Sequence, residues 1–393
     1  MKVLISGAGI AGPTLAYWLH HYGMQPAIVE KAPALRTGGY VIDFWGAGFD
    51  IADRMGLVPK VLQAGYRVHE VRVADRKGRR VAGFPADAFR RMTRDRFTSL
   101  PRSALSALIF QAIDSNVEMR FGDSIASLQQ SEKSVRVEFQ SGSAGEYDLV
   151  VGADGLHSNV RKLAFGDQGQ PEKYLGYKVA AFQAEGYRPR DELVYVMYTE
   201  VGQQVARFSM RDDRTMFLFT FADPEFDGVT VNNATAQKTL LRERFGNSGW
   251  ECPEILERLD QTDDLYFDRV SQIRIDGPWT RGRVTLLGDA AFCVSLLAGQ
   301  GTALAMTAAY ILSGELHRAG GDYALACQRY QQRFAPFVRQ KQEAALRFAG
   351  TFAPRSEFWL WVRNRIFNLM KIPGIADLAA GRDLADKIEI PQY

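Results

Sequence analysis

The tightest constraint on this chain is a six-residue run near its start, Gly7-Ala8-Gly9-Ile10-Ala11-Gly12. It lies between a short apolar run, Val3 to Ile5, and a stretch in which Ile10, Leu15, Leu19 and Tyr22 recur at roughly helical spacing. Glycine at the first position permits a tight turn, at the second lets a pyrophosphate approach the backbone, and at the third lets the helix pack closely on the sheet. Gly23 ends the helix, Ala27 to Val29 form a second strand, and Glu30 closes it where a carboxylate can accept from ribose hydroxyls. The pattern predicts a strand-helix-strand unit whose helix N-terminus faces the phosphates of a dinucleotide. It does not separate FAD from NAD.

Further along, Pro101 opens a helix through PRSALSALIFQAI. Residues 117–139 alternate as short antiparallel strands, DLVVG (148–152) returns to a buried strand, and Ser158 to Ala164 read as a helix. Between about Gln168 and Asp268, segments such as ELVYVMYT, VARFSM and TMFLFTF alternate in the manner of a half-exposed antiparallel sheet, which marks a second domain. RVTLLGDAA and the long helix GTALAMTAAYILSGELHRAGG then resume the first domain. The remainder is helical; Phe358, Trp359, Trp361, Val362, Ile366, Phe367 and Leu369 form an apolar face, with Arg363, Asn364 and Arg365 opposite, and that face is expected to pack against the protein rather than lie on a membrane.

Two further motifs carry more information than the first. Gly152-Ala153-Asp154-Gly155 with Ser158 and Arg161, and Gly288-Asp289 with Gly299-Gln300-Gly301, follow the opening turn in order. Together the three resemble the signatures of the class A flavoprotein monooxygenases, which include para-hydroxybenzoate hydroxylase and the tetracycline-inactivating monooxygenases. The resemblance runs from residue 1 to about 320. It implies that the dinucleotide is FAD, held by Gly7, Gly9, Ala11, Gly12, Glu30, Lys31, Arg102, Asp43, Asp154, Gly288, Asp289, Gly299, Gln300, Gly301 and Thr302. Asp289 would bond the ribityl chain, Asp43 would sit in a loop with Gly38 and Gly39, and the long helix from Gly301 would stabilise the anionic reduced ring. Arg36 resembles an arginine implicated in NADPH binding, and Arg161 is either a phosphate contact or a structural brace.

The resemblance implies an α/β fold: a discontinuous, Rossmann-like FAD-binding domain of the GR2 type with an inserted, mostly antiparallel β-sheet domain for substrate and a C-terminal helical segment. The expected division is 1–72, 97–167 and 269–321 for FAD, 73–96 and 168–268 for substrate, and 322–393 packing across both. The implied reaction is hydroxylation of a small apolar, aromatic or polycyclic molecule, with NADPH or NADH reducing FAD and oxygen transferred from O2 through a flavin C4a-hydroperoxide. Two other readings stay open, a flavin dehydrogenase or reductase on the same fold and a non-enzymatic FAD-containing binding protein. Leu296, Leu297 and Gly299 are placed beside the ring. Val294 to Leu297 stand where the family carries proline, which leaves the loop freer, and Phe292 stands where histidine is common.

On the substrate side, Phe217 and Phe219 share one parity of a strand, and Phe208 and Met210 one parity of its neighbour. Either set, with Leu296, is a candidate cavity lining or simply core. Arg207 has the opposite parity to Phe208.

Composition narrows the partners. The net charge of +3 gives no reason to expect nucleic acid. Ten Lys or Arg residues between Arg72 and Arg102 form a solvated face or an electropositive approach for nicotinamide cofactor phosphates. The three cysteines are far apart and the five histidines do not cluster, so neither a disulfide framework nor a metal is expected. No secretory leader and no apolar run of the ~20 residues needed to span a bilayer is visible, so a soluble, cytoplasmic protein without integral membrane association is expected. Oligomeric state is not encoded legibly.

Overall fold

The computed structural model describes residues 1–36, 40–113, 115–166, 171–187, 191–224, 233–372 and 388–393; Gly38, Gly39 and the side chain of Leu297 lie outside the described residues. Val3, Leu4 and Ile5 are buried on both faces of a central strand, Lys2–Ser6, as a continuous apolar run requires. It pairs in parallel with Gln25–Glu30 on one side and Leu149–Gly152 on the other. Val284–Leu286 and Glu118–Phe121 extend this parallel set, and Thr280–Arg281 adds an antiparallel edge. The helices Ala11–His21 and Gly301–Arg318 pack together and share a core with this sheet. Three short antiparallel strands, Ile125–Gln130, Val135–Phe139 and Ala144–Tyr147, form a small separate sheet.

The second sheet has seven strands in the order Tyr266–Ile273, Glu172–Glu185, Arg214–Ala222, Gln203–Ser209, Val194–Glu200, Glu70–Ala74 and Arg80–Pro85. All its pairs are antiparallel except Val194–Glu200 with Glu70–Ala74. The α/β expectation with an inserted, mostly antiparallel sheet is met.

Register decides what each face does, because alternate residues point to opposite sides. Phe217, Phe219 and Phe221 pack with Phe182 and Phe245 in a closed core beneath the helices Ala234–Phe245 and Cys252–Asp260. Arg207 stands opposite Phe217, on that side, where it pairs with Glu251 at 2.7 Å and Asp191 at 3.1 Å. Phe208 stands opposite Met216 on the other side, which faces the first lobe. The strand pair Val41–Trp45 and Phe97–Pro101 meets that side, the Val41 N–H donating to Met216 Sδ at 3.0 Å.

The C-terminal helix Glu357–Leu369 is turned the other way from the sequence expectation. Arg363 is buried, donating to Thr199 Oγ1 at 3.1 Å, while Phe358, Trp359, Trp361, Ile366 and Leu369 are exposed. The helix meets the edge strand Arg80–Pro85 through Phe367 on Phe84 and the Asn368 side-chain amide on the Val81 carbonyl. The sheet offers hydroxyl and amide oxygens at that spot, so a guanidinium is satisfied there and an aromatic would leave them unpaired. Phe219→Ala is therefore expected to cost about 3–5 kcal/mol, and Phe358→Ala less than about 0.5 kcal/mol. Denaturant melts of both variants test the assignment of inside and outside.

Candidate functional site

Three strands of the parallel sheet end side by side, and each end leads into one of the motifs. Ser6 is in register with Gly152, and Gly152 with Leu286. The Ala153 N–H donates to the Ser6 carbonyl at 2.8 Å and the Leu287 N–H to the Gly152 carbonyl at 2.9 Å, which ties the three exits together. Gly7 has φ +111°, and a Cβ there would stand 2.5 Å from the Ala153 oxygen. At Gly12 it would meet the Gly7 oxygen at 1.9 Å, so neither position accepts a side chain. Glu30 uses one oxygen to accept from the Ala8 N–H at 2.7 Å and the other from the Ala32 N–H at 2.8 Å, which fixes the carboxylate at the rim of the glycine turn.

Around this turn the later motifs close in. A Cβ on Gly9 would lie 3.5 Å from Arg102 Nη2, so the guanidinium sits over the segment that leads into the first helix. A Cβ on Gly288 would lie 3.1 Å from that of Ala11, and one on Gly301 would lie 3.8 Å from Asp289 Oδ1. The Asp289 carboxylate thus stands between the first helix and the start of the long helix Gly301–Arg318, with Thr302 in that helix's first turn and Gln300 at its N-cap position. Gly299, with φ +65°, has open space beside it.

Asp43 and Asp289 are deep in the protein, yet their side chains keep accessible surface because they open onto an internal cleft. Burial pushes both carboxyls above the ordinary carboxylate range. The Ser99 hydroxyl, which donates to Asp43 at 2.5 Å, opposes the shift in one, and the Arg102 guanidinium opposes it in the other. Three tyrosines share the cleft. Tyr40 and Tyr266 stand with ring centroids 5.3 Å apart, both within electrostatic reach of Arg102 and Asp289, and Tyr195 stacks on Phe208 at 4.5 Å within reach of Asp43. Burial raises all three phenols, Tyr40 to about 12, so they remain donors near neutral pH.

Not every expected residue stands in this cleft. Asp154 accepts from the Ser158 hydroxyl and from the N–H groups of Asn159 and Val160, so its carboxylate serves as a helix cap. Arg161 is a brace, donating to the carbonyls of Ala290 and Leu156 at 2.8 and 2.7 Å and joining the second motif to the third. Lys31 and Arg36 are exposed beyond the second strand. Phe217 and Phe219 lie on the far side of the large sheet, whereas Phe208 and Met210 form the layer under Tyr195 and Tyr66. Leu296, like Tyr266 and Leu218, packs against the buried cluster of Tyr177, Val179, Val270 and Ala353. Much of the basic run is locally neutralised: Arg72 and Arg80 on Glu70, Arg79 on Asp75, Arg90 on Asp87, and Arg96 on Asp50.

The loop that lacks proline is held by other means. Gln272 Nε2 donates to the Val294 carbonyl at 3.0 Å, and Gln342 Nε2 to the Cys293 carbonyl at 3.2 Å, both from buried positions. Ser295 then turns with φ +111°, and Leu296–Ala298 form one 3-10 turn. Phe292 fills core between Trp279 and Phe334. Tyr40, Tyr195, Tyr266, Gln272 and Gln342 escape sequence reading. Parity could have flagged Tyr195, but the glutamines act across 22 and 49 residues of chain.

The donor set fits FAD: glycines that admit a pyrophosphate, a helix N-terminus, a guanidinium, and carboxylates open to hydroxyl donors. A sequence profile described as FAD binding domain matches residues 1–340. An uncharacterized protein of Mycobacterium tuberculosis is 38% identical over 348 residues, covering 86% of this chain and 91% of its own. A flavin-dependent monooxygenase from an unknown prokaryotic organism is 34% identical over 393 residues, covering 100% of this chain and 99% of its own. The crystal structure of the tetracycline destructase Tet(51) superposes with a TM-score of 0.85 at 31% identity, covering 100% of this chain and 99% of that one. On profile, relatives and fold alike, the chain belongs to the FAD-dependent monooxygenase family and is an oxidoreductase built on its FAD binding domain.

Proposed function

We propose that this chain uses NADPH or NADH to reduce its FAD and inserts one oxygen atom of O2 into an apolar, electron-rich aromatic or polycyclic substrate. The single observation that carries this reading is the approach of Asp289 and Arg102, beside the start of the long helix, to the paired rings of Tyr40 and Tyr266. The charged groups suit a dinucleotide, and the aromatic rings beside them suit a flat carbon skeleton.

In this reading the residues 1–72, 97–167 and 269–321 hold FAD, 73–96 and 168–268 hold substrate, and 322–393 pack across both. Gly7, Gly9 and Gly12 admit the pyrophosphate, with Arg102 contributing charge over it. Glu30 holds the ribose end, and Asp43 and Asp289 accept from hydroxyls of the chain that leads to the ring. The N–H groups of Gly301 and Thr302, at the start of the long helix, would favour negative charge on the bound ring. Bound FAD supplies the redox chemistry, taking up a hydride and activating O2. The protein's part is to orient the substrate, exclude water and offer phenolic donors. Tyr195 and Tyr266, both held protonated, would each be able to donate to a substrate oxygen and so orient the substrate. Gln272 and Gln342 fix the loop beside the ring, the role that proline plays elsewhere in the family.

Three outcomes follow. With a turned-over substrate, NAD(P)H loss should match product formation, with label from isotopic O2 in the product; label confined to water and peroxide would refute oxygen insertion. Gln342→Leu should leave FAD binding unchanged but raise the share of NAD(P)H oxidised to peroxide severalfold, measured by parallel peroxide and product assays. FAD binding needs Asp289 ionised as an acceptor, and burial raises its pKa, so affinity should fall on acidification, starting above the ordinary carboxylate range. Asp289→Asn should weaken binding at neutral pH and flatten that dependence in fluorescence titrations.

A further inference from the structure

The helix Glu357–Leu369 carries an outward face that nothing in the flavin chemistry uses. Phe358, Trp359 and Trp361 are 64%, 60% and 56% exposed, and Ile366, Leu369 and Ile372 are exposed beside them. Among the described residues, half of the exposed large apolar side chains fall on this one helix and the turn after it. The orientation is fixed from behind. Arg363 Nη1 donates to Thr199 Oγ1 at 3.1 Å, Phe367 packs on Phe84, and the Asn368 amide donates to the Val81 carbonyl at 3.2 Å. The helix therefore cannot roll to hide its aromatics without unpairing a buried guanidinium and giving up the Phe367 contact with Phe84.

Charge says what this face suits. Along 355–372 the exposed charged residues are Arg355, Arg365 and Lys371 against one acid, Glu357. The Arg365 guanidinium lies 5.2 Å over the Trp361 ring, so a cation stands among the exposed rings at the end of a long, flexible stem. Val81, exposed at the neighbouring strand edge between Arg80 and Ala82, extends the apolar surface. Tryptophan and phenylalanine flanked by lysine and arginine are the side chains that settle at the boundary between lipid headgroups and acyl chains, the rings immersed and the cations on the phosphates. A second copy of the chain fits poorly, since a two-fold contact would bring this basic margin against itself with few acids to answer it.

We propose that this face docks the protein on an anionic phospholipid bilayer surface, with Phe358, Trp359, Trp361, Ile366 and Leu369 in the interfacial layer and Arg355, Arg365 and Lys371 on lipid phosphates. The contact is peripheral. No helix among the described residues is long and apolar enough to cross a membrane. The inference does not depend on the identity of the oxidised substrate, although an apolar substrate dissolved in the same bilayer would be close at hand.

The test uses the full, FAD-loaded chain with sedimenting vesicles of phosphatidylcholine alone or mixed with phosphatidylglycerol. The chain should sediment with the mixed vesicles, much less with phosphatidylcholine alone, and progressively less as salt is added. The double substitution Trp359→Gln with Trp361→Gln should reduce partitioning by about tenfold or more. The pair Arg365→Gln with Lys371→Gln should reduce it by about fivefold per residue on the anionic vesicles only. Both variants should keep the parent's flavin absorbance, which shows that they fold. The proposal is overturned if the parent stays in the supernatant at low salt, or if the tryptophan variant partitions as well as the parent. It also falls if the parent is a dimer that these tryptophan substitutions dissociate, which would assign the face to a second copy.

Discussion

The whole arrangement depends on the parallel pairing of three short strands whose C-terminal ends finish level. Lys2–Ser6, Leu149–Gly152 and Val284–Leu286 are separated by well over a hundred residues of chain, yet the hydrogen bonds Ala153 to Ser6 and Leu287 to Gly152 hold their exits in one row. Shifting any of them by one residue would turn its buried side chains to the other face and carry its glycine turn away from the others. The apolar runs Val3 to Ile5 and Leu149 to Val151 are buried on both faces, so the close approaches at Gly7 and Gly152, rather than side-chain alternation, hold that register. The glycine turn, the Arg161 brace and the placing of the Asp289 carboxylate are consequences of that register.

What the strands set in place, side chains then lock. Arg161 joins the second motif to the third through the Ala290 carbonyl, and Glu30 fastens the glycine turn to the end of the neighbouring strand. The seven-stranded sheet is brought up from the other side, and the Val41 to Met216 contact joins it to the FAD-binding lobe. Where the lobes meet, the carboxylates of Asp43 and Asp289 stand close to the phenols of Tyr40, Tyr195 and Tyr266, and surrounding protein raises the pKa of each.

Much of this was legible in the sequence because the motifs are local. A glycine turn, a strand ending in a carboxylate and a strand running into Gly288-Asp289 each declare themselves within a few residues, and the α/β class with an inserted sheet followed from their order. What was not legible depends on pairing across long separations. Phe217 and Phe208 look alike in alternation, and only the position of the two covering helices shows that Phe217 is closed core. The three donors on the Asp154 carboxylate are invisible in its motif, and Val294 to Leu297 read as a loosened loop until Gln272 and Gln342 are seen to hold it. The C-terminal helix misleads most, because amphipathic spacing identifies two faces without saying which the sheet will accept. The sheet offers oxygen atoms at that place, and Arg363 answers them.

The most direct measurement is a crystal structure of the chain grown with FAD. One FAD should lie with its pyrophosphate over Gly9 beside Arg102, its ribityl chain on Asp289, and its ring between Gly299 and the face that carries Tyr195 and Tyr266. FAD seated elsewhere, or protein that stays colourless and refuses FAD during preparation, would contradict the account at its root.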